Sequence, residues 1–440
     1  MSEGVFFRSL RQRVEGQAAL DEGSCKPERA ERAELRRRAL ARATELGWPG
    51  SRDEAYKYTS LTKLGSVPFG NSDFAGIDDR ELSHLPEGPL IWALGGQVMP
   101  SRARLDDLPA GIRVKGDDEA MTELHEQLAV DASSDFLGAL SAATIQGAVV
   151  VDVDANTEVD VPLTVAFLAP RPSMGADHQS QAPRLLVRLA ENASLRLLEW
   201  HDGTSARCLS HPLIHVELAA GASFEHLRLL EDGPNTEHLG RIRVEQARDS
   251  RYRLWNLALR GSLSRSEIEV ALREPGAECE LDGLSTARGK EHRDQHVLVH
   301  HAVPHGTSRQ TFKSVLADRG RGIFTGKVQV DPQAQKTSAE QSNRSLLLSE
   351  TALAETRPQL EIHADDVTCS HGATIGRLRD DALFYLRSRG IGTDEAKLML
   401  TTAFAAEVTE SLPEGPWREL AESRVRERLA TLLQEEEQAS

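Results

Sequence analysis

From about residue 145 to 370 a short pattern keeps returning, and it narrows the folds open to the chain more than any other feature. Glu191-Asn-Ala-Ser-Leu, Ala220-Gly-Ala-Ser-Phe, Ala247-Arg-Asp-Ser-Arg and Pro275-Gly-Ala-Glu-Cys are four versions of one turn-then-strand piece. Their third residues, Ala193, Ala222, Asp249 and Ala277, are spaced by 29, 27 and 28 residues. A regular period of this length marks stacked supersecondary units. Between the turns lie short runs of alternating or continuous apolar residues, such as Leu163–Phe167, Leu185–Leu189, Ile214–Leu218, Trp255–Leu259, Ile268–Leu272 and Val328–Val330. Short strands at this spacing, with no helices between them, indicate an all-β architecture. The steady period favours a parallel β-helix, in which each strand pairs with its equivalent one turn later over a continuous apolar column. A β-sandwich is the alternative that periodicity alone does not remove.

The flanks read differently. Residues 1–88 are helical, with a stripe of Leu35, Ala39, Leu40, Ala43 and Leu46 ended by Gly47-Trp-Pro-Gly50. A second helix is expected from Ser51 or Asp53, and a loop over 65–85. Residues 89–144 form a mixed lead-in, a strand at Pro89–Leu94 and helix over 117–140. The β-helix occupies 145–376. Residues 377–440 are helical again. There Thr393 is the expected N-cap, and Ala396, Met399, Leu400, Ala403, Phe404 and Val408 form one apolar stripe. After Pro413-Glu-Gly-Pro416 a last amphipathic helix carries Leu420, Val425, Leu429, Leu432 and Leu433. These two helices are expected to cap the coil or dock another subunit.

Composition excludes several functions. The 440 residues carry a net charge of −16 and only 5% aromatics, which argues against nucleic acid or anionic lipid as the main partner. No apolar run is long enough for a membrane span, and no signal peptide is recognisable at Met1. Cys25, Cys208, Cys279 and Cys369 are scattered with no CxxC pair, as in a cytoplasmic protein with free thiols. Gly320-Arg-Gly-Ile-Phe-Thr-Gly-Lys327 imitates a phosphate loop, but Arg321 stands where a glycine is required and Val328 where Ser or Thr would hold magnesium. No nucleotide is expected to bind, and Gly322 and Gly326 read as turns bracketing a strand.

Two sites hold candidate ligands. His292, His296 and His300 share a face if extended, but lie too far apart along a strand to close on one metal. The other is Leu360-Glu-Ile-His-Ala-Asp-Asp-Val-Thr-Cys-Ser-His-Gly372, where Val367, Cys369 and His371 alternate onto one face, the last two roughly 7 Å apart. A strand cysteine is commonly a small core residue, and two ligands make no closed site.

A series of motifs in fixed order resembles a known family. Gly322-Ile-Phe-Thr-Gly-Lys-Val-Gln-Val330, Ala334-Gln-Lys-Thr337, Gln341-Ser-Asn-Arg-Ser-Leu346, Arg357-Pro-Gln-Leu-Glu-Ile-His-Ala-Asp-Asp-Val367, Cys369-Ser-His-Gly372 and Leu383-Phe-Tyr-Leu-Arg-Ser-Arg-Gly390 resemble the SufD family of the SUF iron–sulfur cluster assembly complex. The sister SufB family is the competitor. SufB-like chains carry Cys-Asp-Ser near Leu346-Leu-Leu-Ser349 and Glu-Ala where this chain has Gly372-Ala373, so these residues favour SufD.

The resemblance implies a right-handed parallel β-helix between two helical regions and a non-catalytic scaffold. It implies pairing with a SufB-like subunit through the β-helices. It further implies that the C-terminal helices bind a SufC-like ATPase, with Phe404, Val408, Leu420, Leu429 and Leu432 as the apolar docking residues, while a homodimer of the isolated subunit is left open by the sequence. His371 and Cys369 become candidate ligands of iron or a transient cluster at the SufB interface. Two other readings stay open: a purely structural subunit whose partner supplies every ligand, and a polysaccharide-acting β-helix enzyme, a class that is usually exported.

Overall fold

The computed structural model describes residues 5–24, 26–71, 86–99, 103–169, 178–203 and 207–434. Cys25, most of the expected 65–85 loop and residues 435–440 of the expected C-terminal helical region lie outside the described residues. The fold class is mainly β, a parallel β-solenoid with helices before and after it. The chain divides into two compact units, one of residues 1–195, 201–217 and 232–244, the other of 196–200, 218–231 and 245–440.

In the first unit the helices Val5–Glu22 and Pro27–Leu46 pack with Phe136–Thr144. Pro27 opens its helix, where a missing N–H costs nothing. Gly47, at φ 67°, closes it and donates its N–H to Ala43 O. Phe6, Trp48 and Phe136 form an aromatic stack with centroids 4.8 and 4.7 Å apart. The stripe is buried except Leu46, which faces solvent. The expected second helix shrinks to a 3-10 turn over Glu54–Tyr56, and Asp53 caps no helix but accepts from Gly50 N. The expected helix over 117–140 is three, Asp117–Glu123, His125–Ser133 and Phe136–Thr144. Asp131 in the second is wholly buried, 2.5 Å from Arg184, 2.9 Å from Arg243 and 3.3 Å from His215. Burial would raise its carboxyl, but Arg184 and His215 outweigh that and hold it below the usual range.

The second unit is built from strands of mostly ten residues that alternate between two sheets. One sheet takes Leu263–Leu272, His292–His301, Arg321–Val330 and Leu353–Ile362. The other takes Ser223–Glu231, Arg251–Ala258, Glu278–Ala287, Thr307–Leu316, Ser338–Leu347 and Thr368–Arg377. Each strand pairs in parallel with the next but one in sequence. That pattern is a coil's and excludes the sandwich, whose hairpins would pair antiparallel. Equivalent residues stack: Ser223 on Arg251, then Glu278, Thr307, Ser338 and Thr368, steps of 28, 27, 29, 31 and 30 residues.

The register corrects one repeat member. The residue level with Ala222 and Ala277 is Ser250, fully buried like them, and Asp249 sits in the turn at φ 54°. Asp adopts that left-handed conformation more readily than most residues, so the turn shifted within the motif without disturbing the ladder.

Gly322 and Gly326 are also corrected. Both lie inside the strand Arg321–Val330. A Cβ at Gly322 would press on Leu316, and one at Gly326 would collide with the Gln341 amide and the Phe324 ring. Glycine is needed there for room across the interior, not for a turn.

The C-terminal helices Thr393–Thr409 and Pro416–Gln434 pack along the outer face of the second unit's strands rather than over an end of the coil. Trp255 Nε1 donates to Ser411 Oγ at 2.8 Å, Ser411 Oγ donates to Asp282 at 2.9 Å, and Arg424 lies 5.1 Å from the Trp200 ring centroid. Lys313, almost wholly buried, donates to Phe404 O at 2.7 Å and pairs with Glu407. The helix cap is Gly392, not Thr393. The expected stripe divides between two faces: Ala396 and Val408 are buried, whereas Met399 and Ala403 face solvent. Among the described residues no helix is long and apolar enough to cross a membrane.

Candidate functional site

A solenoid must stop somewhere, and its last rung has one unstacked side. Thr368–Arg377 is the terminal strand of its sheet and Leu353–Ile362 that of the other. The strands one turn earlier, Arg321–Val330 and Ser338–Leu347, each carry several buried residues, whereas these two carry no fully buried residue. The terminal strand begins at Thr368 and runs through Gly372 to Arg377, longer than the motif alone indicates.

Register shows where the two candidate ligands face. Cys369 stacks on Ala339, above Ser308, Cys279 and Tyr252. Those four residues are buried. His371 stacks on Gln341, above Gln310 and Leu281, also buried. Side chains in one column of a parallel ladder point the same way. Both residues therefore extend inward-facing columns, and the expected shared face is found, with Val367 packed in the same cluster as Cys369.

Their surroundings differ. Cys369 is half-buried against Val328, Val330, Ala334, Ala339 and Ala364. Burial pushes its thiol above the ordinary value, against a smaller opposing effect of a backbone hydrogen bond from Ala339. It is thus a protonated thiol at neutral pH that must release its proton to bind metal. His371, two residues on, is exposed. Its column has no next turn to cover it. On the neighbouring strand Glu361 pairs with Lys327 at 2.5 Å and with His363 at 3.3 Å. Lys327 and then His363 hold that carboxyl low.

The thiol makes a direct prediction. In a Cys25→Ser chain, iodoacetamide should modify Cys369 alone, since Cys208 and Cys279 are fully buried with strongly raised thiols. The rate should rise about tenfold per pH unit through neutrality, because only thiolate reacts. Mass spectrometry of the labelled peptides checks both, and equal labelling of Cys279 would contradict the burial.

Among the described residues no three His, Cys, Asp or Glu side chains are placed to hold one metal ion. His292, His296 and His300 do share a face, half-buried, and His300 spends its ring on Asp331 at 3.0 Å. The imidazole–thiol pair at the terminal rung suits iron and iron–sulfur species as a donor set. Two donors alone do not close a metal site.

The expected docking residues lie mostly inside the chain. Val408, Leu429 and Leu432 are 0% exposed, and Phe404 and Leu420 are half-buried. Apolar residues on nearby elements are uncovered instead. The helix Asp380–Ser388 has no buried residue, and Phe384 is 73% and Tyr385 56% exposed.

Sequence reading missed the polar interior of the second unit. Glu199 bonds His226 at 2.9 Å and Arg228 at 2.9 Å. His226 meets Tyr252 OH at 3.1 Å, and Arg228 donates to Ser266 at 3.1 Å. Asn256 donates to Gln295 at 2.8 Å, which donates to Ser285 at 3.1 Å. All are buried. The signal was available as Glu199, His226 and Arg228 falling on the same alternation as the apolar Leu195, Leu197, Phe224 and Leu230 of their strands.

Comparison with known proteins is consistent with this geometry. Residues 173–404 match the SufBD core domain of the SUF system for FeS cluster assembly. The chain is 32% identical over 390 residues to an iron–sulfur cluster assembly SufBD family protein of Synechocystis, covering 84% of each chain. It is 34% identical over 242 residues to the iron–sulfur cluster assembly protein SufD of Escherichia coli, 55% of this chain and 57% of that one. A SufBD family protein of Mycobacterium leprae is 27% identical over 396 residues, 88% of this chain and 90% of its own.

Proposed function

The chain belongs to the SufBD family of SUF-system iron–sulfur cluster assembly proteins, and on that premise we propose that it is the SufD-like scaffold subunit, contributing ligands to a cluster built at a seam with a SufB-like partner. The supporting observation is the terminal rung. An exposed imidazole and a half-buried thiol sit on one inward-facing side of the last strand, where the coil has nothing stacked on it. The nascent cluster is cargo here. His371 binds iron through a ring nitrogen, and Cys369 binds iron or sulfide after losing its proton. The partner supplies the remaining ligands, so the cluster can leave when the seam opens. The scaffold does no covalent chemistry of its own, and ATP hydrolysis belongs to a SufC-like ATPase.

The SufB-like reading has less support, because one of the relatives above carries the name SufD and none of them the name SufB. The purely structural reading differs in one outcome: under it, loss of His371 leaves cluster yield unchanged.

The ATPase is proposed to dock on the uncovered apolar surface of the C-terminal helical region. Phe384, Tyr385 and Met399 provide it, in place of the buried Val408, Leu429 and Leu432. Large exposed apolar side chains of this kind mark interaction sites. Phe384→Asp combined with Met399→Asp should abolish co-purification of the ATPase while the thermal midpoint of the subunit alone stays unchanged. Retained capture would refute this surface. Leu429→Asp is the wrong test, since it buries a carboxylate in the chain's own core and unfolds the helix.

A further inference from the structure

Beneath His371 the inward column is polar and incompletely satisfied. Gln341, 1% exposed, donates its Nε2 to Gln310 Oε1 at 3.0 Å. Gln341 Oε1 is buried and has no hydrogen-bond partner. This is the geometry of a glutamine ladder, in which each amide donates to the rung on one side and accepts from the rung on the other. The ladder here has two glutamines, and its third position, in register with Gln341, is His371. Neighbouring strands lie about 4.8 Å apart, within reach of a side-chain hydrogen bond along the column.

The amide is also held in place. Gly326, on the facing sheet, leaves the space that the Gln341 amide occupies, and any Cβ there would collide with it. Gln310 fixes the other side. A buried acceptor without a partner is costly to leave unmade, so a donor arriving from the next rung is favoured. Imidazole can be that donor and still offer its second nitrogen to a metal, as ligating histidines commonly do.

We propose that Gln341 is a positioning residue for His371: its Oε1 accepts one ring N–H, fixes the tautomer and aims the other ring nitrogen at incoming iron. This rests on the reading of His371 as a ligand, and it assigns Gln341, Gln310 and Gly326 a role in setting up that ligand.

The test is made on the full chain labelled with ¹⁵N-histidine, with the His371→Ala spectrum identifying the signal. At a pH where the ring is neutral, the ring-nitrogen shifts of wild type should show one dominant tautomer. Gln341→Met keeps the length and removes the acceptor, so it should give the mixed tautomers of a free imidazole. Gln341→Glu restores an acceptor and should restore a single tautomer. Circular dichroism and the thermal midpoint confirm that each variant is folded. Mixed tautomers in wild type, or a spectrum unchanged by Gln341→Met, would overturn the proposal. The ligand reading fails separately: full cluster yield from the His371→Ala complex removes it while leaving the tautomer result standing.

Discussion

In the complex with its partners, His371→Ala is expected to lower the yield of bound cluster about tenfold or more, the range seen when metal sites lose essential groups. The complex itself should assemble normally. His371 is exposed and no packing depends on its ring, so stability should shift by no more than about 0.5 kcal/mol. The measurements are anaerobic iron and sulfide analysis with the absorption spectrum, beside size-exclusion of the complex. Cys369→Ser should reduce the yield less, since the imidazole remains and serine keeps a weak oxygen donor. Full occupancy in His371→Ala would leave this chain as an interface partner only.

The largest effect on stability is expected inside the second unit. Glu199 binds His226 and Arg228 at 0% exposure for all three. Glu199→Ala removes the buried carboxylate that Arg228 is paired with. Breaking a buried pair from one side costs about 3–5 kcal/mol. Denaturant unfolding should show this as a lower midpoint, while the double change Glu199→Leu, Arg228→Met should recover most of the loss because both members of the pair are then replaced by apolar groups. A single-variant loss below about 1 kcal/mol would mean that water reaches the network.

Charge in the interior also explains where reading from sequence stopped. The turns at 191–194, 220–223 and 275–278 repeat because each coil needs the same tight corner, and such local chemistry is written residue by residue. That period favours a parallel coil, and the observed strand pairing removes the sandwich and shows the open rung at Cys369 and His371. The slip at Asp249 arose because turn residues shift by one position while the ladder does not. Gly322 and Gly326 looked like turns because glycine's two uses, positive φ and small size, are indistinguishable in a string of letters. The C-terminal helices misled for a similar reason. An amphipathic face says that something covers it, and here Val408, Leu429 and Leu432 are already buried within the chain itself.

The amino-acid sequence by itself determined the repeat, the all-β middle, the helical flanks and the alternation that puts an imidazole and a thiol on one face, because all of these rest on periodicity and on neighbours in the chain. Only the tertiary structure decided which apolar helix faces remain uncovered, that a charged network fills part of the interior, and that Gln341 lies beneath His371. Those depend on strands about thirty residues apart being brought into register, and side-chain alternation reports the face a residue takes without reporting what stands above it.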